Sequence, residues 1–242
     1  MNILIPMAGL GSRFSEVGYK EPKPLIDVAG EKMISLAVRS LGFPDANTIF
    51  ITRKYKNSNY NRELNEVLGD LGRSSKIIEL DHLTEGPAST CLVAKELINN
   101  DQPLIIANCD QVMLWNPDSF LKFILKNNPD GAVITYTSED AKNSFVKVDN
   151  QGQAVKFTEK IPISNIALNG VHYWKKGSYF VESAEEMISA RDRFNGEFYI
   201  APSFNFMINK KRTVLNYHIE KNECFLIGTP KDLNDYINFI RP

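Results

Sequence analysis

The sequence predicts an α/β fold: a doubly wound, mostly parallel sheet with helices on both faces and a smaller antiparallel extension. Three observations predict it. Short apolar runs at 3–5, 47–52, 76–80, 103–107 and 131–137 have the length and composition of buried strands. Segments of helical apolar period separate them, so the first part of the chain alternates strand and helix, the pattern of a parallel sheet. From about residue 140 the rhythm changes to closely spaced short strands, as in antiparallel pairing. The chain of 242 residues is read as one domain, 1–242, with halves 1–140 and 141–242. No Pro/Ser-rich linker divides the halves, and no internal repeat is visible.

Taken in order, Ile3 to Ile5 is a strand bounded by Pro6. Glu31 to Leu41 has apolar residues at 33, 34, 36, 37, 38 and 41, a helix ended by Gly42 and Pro44. Asn47 to Thr52 is β-rich. Residues 57–72 are polar, with Leu64, Val67, Leu68 and Leu71 at helical spacing, a surface helix. Lys76 to Leu80 is a strand. Ala88 to Ile98 is a strongly periodic helix, and Pro87 suits its first position. Pro103 to Ala107 is an apolar strand running into Asn108-Cys109-Asp110-Gln111; Phe120 to Leu125 is a helix and Gly131 to Thr137 a strand. Phe145 to Val148 and Ala154 to Thr158 flank the hairpin signal Asp149-Asn150-Gln151-Gly152, and Ala167 to Trp174 follows. Helices are expected at Ser183 to Ala190, Pro202 to Ile208 and Pro230 to about Ile240, with strands at Thr213 to His218 and Cys224 to Ile227.

The bulk numbers exclude several classes. A formal net charge of −1 leaves no electrostatic footprint for nucleic acid, and the densest basic cluster is Lys210-Lys211-Arg212. No stretch approaches a membrane span. Cys91, Cys109 and Cys224 are far apart, in no CxxC or Cys/His spacing, and read as small core residues in a reducing cytoplasm. No basic leader region precedes the first strand, so no secretory signal is expected. His82, His172 and His218 have no metal spacing, and structural roles are favoured for them.

Chemistry concentrates in the first twenty-six residues. The strand at 3–5 breaks into Met7-Ala8-Gly9-Leu10-Gly11-Ser12-Arg13-Phe14, and Glu21-Pro22-Lys23-Pro24-Leu25-Ile26 follows. Gly9 and Gly11 permit positive φ and let backbone N–H groups face phosphate oxygens. Arg13 can fork across two such oxygens, while Lys23 is a point charge stiffened by its flanking prolines. A Gly-x-Gly alone also suits a plain turn. There is no GxxxxGK[ST], which excludes a P-loop, and position 14 is Phe where a dinucleotide fingerprint needs glycine.

Gly9-x-Gly11-x-Arg13 followed by Pro22-Lys23-Pro24-Leu25-Ile26 resembles the nucleotidyltransferases that make activated sugars, the NDP-sugar pyrophosphorylases. The resemblance runs the full length and implies a fold of the nucleotide-diphospho-sugar transferase type. It assigns 1–140 to nucleotide binding and 141–242 to the acceptor. Thr84-Glu85-Gly86-Pro87-Ala88 falls where the family reads the base. Asn108-Cys109-Asp110 falls where it holds a Mg²⁺-binding aspartate. Glu159-Lys160, Asn169-Gly170 and Gly196-Glu197-Phe198-Tyr199 fall where it binds the acceptor, and Gly228-Thr229-Pro230 resembles its C-terminal tripeptide.

The resemblance thus implies Arg13, Lys23 and Asp110 as catalytic residues, with Asp110 the metal ligand. Met7, Ala8, Gly9, Gly11, Ser12, Glu85, Gly86 and Ala88 would bind the nucleotide, and Glu159, Lys160, Asn169, Gly170 and Glu197 the acceptor. The implied partners are a nucleoside triphosphate and a phosphorylated small molecule, the cofactor is Mg²⁺, and the reaction is in-line displacement with pyrophosphate leaving. Family members often form homo-oligomers; nothing in these residues specifies one.

One departure stands out. The family usually carries a second metal-binding aspartate where this chain has Leu226. The motif wording is most similar to capsule-associated cytidylyltransferases, such as CTP:phosphoglutamine cytidylyltransferase. CTP is therefore the favoured nucleotide, with a sugar 1-phosphate or a phosphoglutamine-like compound as acceptor. Two other readings stay open: a catalytically inactive nucleotide-binding regulatory domain, which Leu226 would suit, and a glycosyltransferase of the related fold, against which Asp110-Gln111-Val112 lacks the second acid of Asp-x-Asp.

Overall fold

The computed structural model describes residues 1–72 and 74–241. The chain runs β1 (Asn2–Pro6), α1 (Ser12–Ser15), a 3₁₀ turn at Lys23–Leu25, β2 (Asp27–Val28), β3 (Glu31–Lys32), α2 (Met33–Ser40), β4 (Asn47–Arg53), α3 (Ser58–Gly69), β5 (Ser74–Leu80), α4 (Pro87–Leu92) and α5 (Lys95–Ile98). It continues through β6 (Leu104–Ala107), β7 (Gln111–Met113), α6 (Pro117–Asn127), β8 (Gly131–Thr137), β9 (Ser144–Val148), β10 (Ala154–Glu159) and β11 (Ile166–Trp174). The last elements are α7 (Gly177–Ser189), α8 (Ile200–Asn209), β12 (Val214–His218), β13 (Cys224–Leu226) and α9 (Pro230–Ile240).

One sheet organises the molecule. Its strands run β10-β9-β11-β6-β1-β4-β5, with β8 on β11 and β12 on β8. Pairs β1–β4, β1–β6, β4–β5 and β8–β12 are parallel; β11 is antiparallel to both β6 and β8. Alternate residues of β1 feed opposite faces: Ile3 and Ile5 pack with residues of α2, α3 and α6, and Leu4 with residues of α4, α5, α7 and α8. Burial on both faces explains why the central strands read as continuous apolar runs.

The chain winds from β1 out through β4 to β5, then crosses back to β6 on the other side of β1. Strand order reverses there, and the carboxyl ends of β1 and β6 border a crevice. Because β11 runs against β6, pairing Val171 with Ala107, it brings Asn169-Gly170 to the same end. A third apolar cluster ties Phe14 and Ile26 of the opening segment to Ile227, Leu233 and Tyr236 near the C-terminus.

Three expected helices have different bounds. The helix expected at 31–41 begins at Met33, because Asp27 to Lys32 form a hairpin whose turn is fixed by the Gly30 N–H donating to Asp27 Oδ1 at 2.9 Å. The helix expected at 88–98 is two: Val93 and Ala94 donate to the carbonyls of Thr90 and Cys91, so α4 closes in a tighter turn. The helix expected at 183–190 starts at Gly177, whose N–H donates to Gln102 O at 2.8 Å while a Cβ there would overlap Ile98 O. That start is set by docking, which no periodicity encodes.

Candidate active site

The centre of the crevice is an ion pair between residues 87 positions apart: Lys23 Nζ donates to Asp110 Oδ2. Asp110 lies in the short link between β6 and β7, three residues past Ala107 and immediately before Gln111. Lys23 sits in the 3₁₀ turn that Pro22 opens, with the Leu25 N–H on Pro22 O at 2.8 Å. Burial by itself would lower the lysine's pKa, but the Asp110 carboxylate outweighs it and the net shift is upward. Lys23 therefore stays charged at neutral pH.

Gly11 needs its freedom. Its φ is +66°, and a Cβ would lie 3.2 Å from Lys23 Cβ. It caps α1, where Phe14 is 1% exposed and anchors the loop in the third cluster. Anchoring Phe14 inward leaves Ser12 and Arg13 exposed at the crevice.

Two cavities meet at this loop. One, of about 390 Å³, is walled by Ala8, Gly9, Gly11 and Ser12 on one side and by Gly86, Pro87 and Glu197 on the other. The second, of about 320 Å³, is walled by Arg13, Asp110, Glu159, Lys160, Asn169, Gly170 and Tyr199. A small recess of about 190 Å³, bordered by Met7, Gly9, Gly11, Lys23 and Asp110, lies at the same end.

The second cavity's polar groups are held in place by one another. Glu159 is 7% exposed and accepts from Ser144 Oγ at 2.5 Å, so it is not the solvated half of a surface pair. Burial raises its pKa most, while Ser144 and Lys160 pull it back. Lys160 Nζ donates to Tyr199 Oη at 2.6 Å, and that hydroxyl donates to Glu197 Oε2 at 2.5 Å. Asn169 Oδ1 accepts from the Val171 N–H at 2.9 Å. Gly170, at φ +98°, is packed so tightly that a Cβ would overlap the Asn108 amide. A Cβ at Gly228 would likewise overlap the Asp110 carboxylate.

Four expected residues, Glu85, Ala88, Glu197 and Met7, face elsewhere than the resemblance implies. Glu85 turns its side chain outward to Arg193, 3.6 Å away, and uses its carbonyl to accept the Phe198 N–H. Ala88 is fully buried, and its N–H donates to Phe198 O at 2.9 Å. Of Glu85, Gly86 and Ala88, only Gly86 stays on the cavity wall, its φ of +118° forced by Phe198, whose N would lie 2.6 Å from a Cβ. Glu197 faces the Gly86 cavity and reaches the second one only through Tyr199. The Met7 N–H is used by Ile51 O at 2.8 Å, so its side chain packs in the core. Ser144, His172, Tyr199 and Asp232 also line the second cavity. The sequence placed Tyr199 only within the Gly196–Tyr199 segment and read His172 as structural; Ser144 had no signal, and Asp232 had only the Thr229-x-x-Asp232 cap pattern.

The residues present fit Mg²⁺ only in a limited way. Among the described residues no group of three His, Cys, Asp or Glu side chains could hold a metal ion. Leu226 lies in register with Gln111, next to Asp110, and supplies no oxygen ligand from its side chain. Asp232, on the same cavity wall, is engaged with Thr229 Oγ1 at 2.7 Å. Asp110 is thus a single carboxylate, enough for an ion that takes most of its oxygens from phosphates and water.

A doubly wound sheet with a glycine loop, an arginine and a Lys–Asp pair at its switch point defines the class: an α/β protein with a charged crevice at its strand ends. The chain belongs to the nucleotidyl transferase family, whose sequence profile matches residues 3–241. It is 26% identical over 164 residues to the mannose-1-phosphate guanylyltransferase catalytic subunit beta of Dictyostelium discoideum, covering 66% of this chain and 45% of that protein. The Danio rerio counterpart is 27% identical over 165 residues, again 66% and 45%. The chain thus spans about half the length of the curated relatives it matches. Among solved structures, the nucleoside-diphosphate-sugar pyrophosphorylase of Vibrio cholerae RC9 is similar at a TM-score of 0.84 and 26% identity, covering 98% of this chain and 99% of that one. The inositol-1-phosphate CTP transferase of T. maritima shares the fold at a TM-score of 0.75 and 14% identity, over 98% and 92%.

Proposed function

We propose that this chain transfers a nucleotidyl group from a nucleoside triphosphate to a phosphorylated small molecule and releases pyrophosphate. One observation carries the reading: the glycine loop with Arg13 stands where two cavities meet, and the Lys23–Asp110 pair borders a recess at the same end. The nucleoside lies in the Gly86 cavity and the acceptor in the Glu159 cavity. An acceptor phosphate oxygen attacks the α-phosphorus, the bond to the bridging oxygen breaks, and its electron pair leaves on pyrophosphate. Arg13 and the loop amides hold the charge that collects on the leaving group. Lys23 neutralises the α-phosphate side, and Lys160 and Asn169 orient the acceptor. Asp110 would hold Mg²⁺, which would supply charge neutralisation for the phosphates.

CTP is the favoured nucleotide. The Gly86 cavity is walled mainly by Ala8, three glycines, Ser12, prolines and threonines, with Leu10, Leu83 and Glu197 beside them and Glu85 turned away, which leaves backbone groups to read a pyrimidine. The T. maritima neighbour is a CTP enzyme of this fold. The guanylyltransferase relatives favour a second reading, GTP with a sugar 1-phosphate. A phosphoglutamine-like acceptor belongs with the first reading.

Pyrophosphate release is measured with Mg²⁺, each of the four triphosphates, and a panel of sugar 1-phosphates and phosphoglutamine. Release is expected with CTP and one acceptor. Release only with GTP and a sugar 1-phosphate would select the second reading, and none with any pair would overturn the transferase assignment.

A further inference from the structure

A third cavity, of about 450 Å³, opens on the other side of β1 from Asp110, at the carboxyl end of β4. It shares Gly11 and Lys23 with the recess beside Asp110, so Lys23 stands on the border between them. Its wall is strongly basic in a chain of formal net charge −1. Lys20, Arg53, Lys54 and Lys56 line it in addition to Lys23, and Glu21 is the one acid on its wall. Among the described residues none of those four cations forms an ion pair.

The cavity is built rather than incidental. The loop from β4 to α3 is clamped at Tyr55, whose N–H donates to Asn61 Oδ1 and whose carbonyl accepts from Asn61 Nδ2, both at 2.8 Å. Tyr55 is 9% exposed, and the Arg53 guanidinium lies 4.9 Å from its ring centroid. Arg53 Nε is buried without a hydrogen-bond partner. A buried unmet donor is costly, and an arginine's donors are met well by an anion with several oxygens. The N-terminus of α3 opens on the same wall through Asn57 and carries no acid in its first turn, which adds positive potential.

We propose that this cavity binds a diphosphate and receives the displaced pyrophosphate on the far side of Lys23. The release role rests on the transferase reading; the binding of diphosphate does not. A single phosphate would leave much of this wall unpaired, whereas a diphosphate can bridge from Lys23 to Arg53 and the Lys54–Lys56 rim. The cavity then gives the leaving group a path that does not cross the acceptor.

The test is calorimetric titration of inorganic pyrophosphate, and separately of CTP and GTP, into the whole chain and two variants. Lys54→Ala/Lys56→Ala changes only exposed side chains and leaves the fold intact; Arg53→Ala removes the half-buried cation. Pyrophosphate affinity is expected to fall on the order of tenfold in each, with nucleotide affinity changed less than about twofold. Unchanged pyrophosphate affinity in both variants would overturn the site. An equal loss for pyrophosphate and for the nucleotide would place a triphosphate tail there and overturn the release role. These titrations need no turnover, so they are read even if no substrate pair releases pyrophosphate.

Discussion

The two sides of the crevice are built by opposite means. The loop side takes Ala8, Gly9, Gly11, Ser12, Arg13 and Lys23 from one short stretch, and its shape is backbone shape: a positive φ at Gly11, a proline-fixed turn at Lys23, an anchor at Phe14. The Glu159 side takes Ser144 from β9, Glu159 from β10, Asn169 from β11 and Tyr199 from the start of α8. Its shape is a set of side-chain hydrogen bonds, Ser144 to Glu159 across the β9–β10 hairpin and Lys160 to Tyr199 at the start of α8, and Asn169 joins them because β11 runs against β6. A site whose partners are close in sequence tolerates change at its periphery and fails at single charges. A site assembled across the sheet fails wherever its supporting packing does.

The largest effect should come from the charges where the loop meets Asp110. Arg13→Ala and Asp110→Asn are each expected to cut pyrophosphate release by roughly 100- to 1,000-fold with little change in melting temperature, since Arg13 is exposed and Asp110 is one-fifth exposed. Turnover within threefold of the unmodified chain would remove that residue from the mechanism.

His172 tests the packing beneath the other side. It is 5% exposed, lies beside the stacked Trp174–Phe204 pair with centroids 6.1 and 6.0 Å away, and burial lowers its pKa from the ordinary 6.5 to about 4. The unfolded chain therefore takes up the proton first. Its contribution to stability is complete above pH 6.5 and is lost as pH falls toward 4, a few kcal/mol in all. Urea unfolding across that window should show the slope, and His172→Phe should flatten it. An identical slope in the variant would assign the acid sensitivity elsewhere.

Gly170→Ala forces a side chain onto the Asn108 amide at φ +98° and should cost about 1–3 kcal/mol. Urea midpoints measure this, and the acceptor KM should rise while the nucleotide KM holds. A parallel rise in both would mean that the two sides are not separable as drawn. The smallest effect is a gain. Leu226→Asp places a second carboxylate beside Asp110, and the Mg²⁺ concentration for half-maximal activity should fall about threefold. No change would indicate that phosphates alone hold the ion.

Much of the fold was legible because its signals are local. The fully buried strands β1, β4, β6 and β8 read as apolar runs, and the Asp149–Gly152 turn announced the β9–β10 hairpin. The loop residues were legible for the same reason, since glycines, prolines and fixed cations within one stretch state their own geometry. That Phe198, across the fold, takes up the backbone groups of Glu85 and Ala88 was not legible, since no local pattern announces that contact. Tyr199 was legible only as part of the Gly196–Tyr199 segment, and its hydroxyl finds Lys160 and Glu197 only after folding.

The sequence by itself determined the strand–helix alternation, the phosphate-loop wording and the absence of a second carboxylate at Leu226, because each is a matter of residue type at short range. Only the tertiary structure decided that Lys23 meets Asp110 across 87 positions, that β11 delivers Asn169 and Gly170 beside them, and that Arg53 and Tyr55 close a basic cavity behind the loop. Those contacts depend on strand order and direction, and strand order is settled by burying two faces of one sheet at once, a condition on the whole chain that no single segment contains.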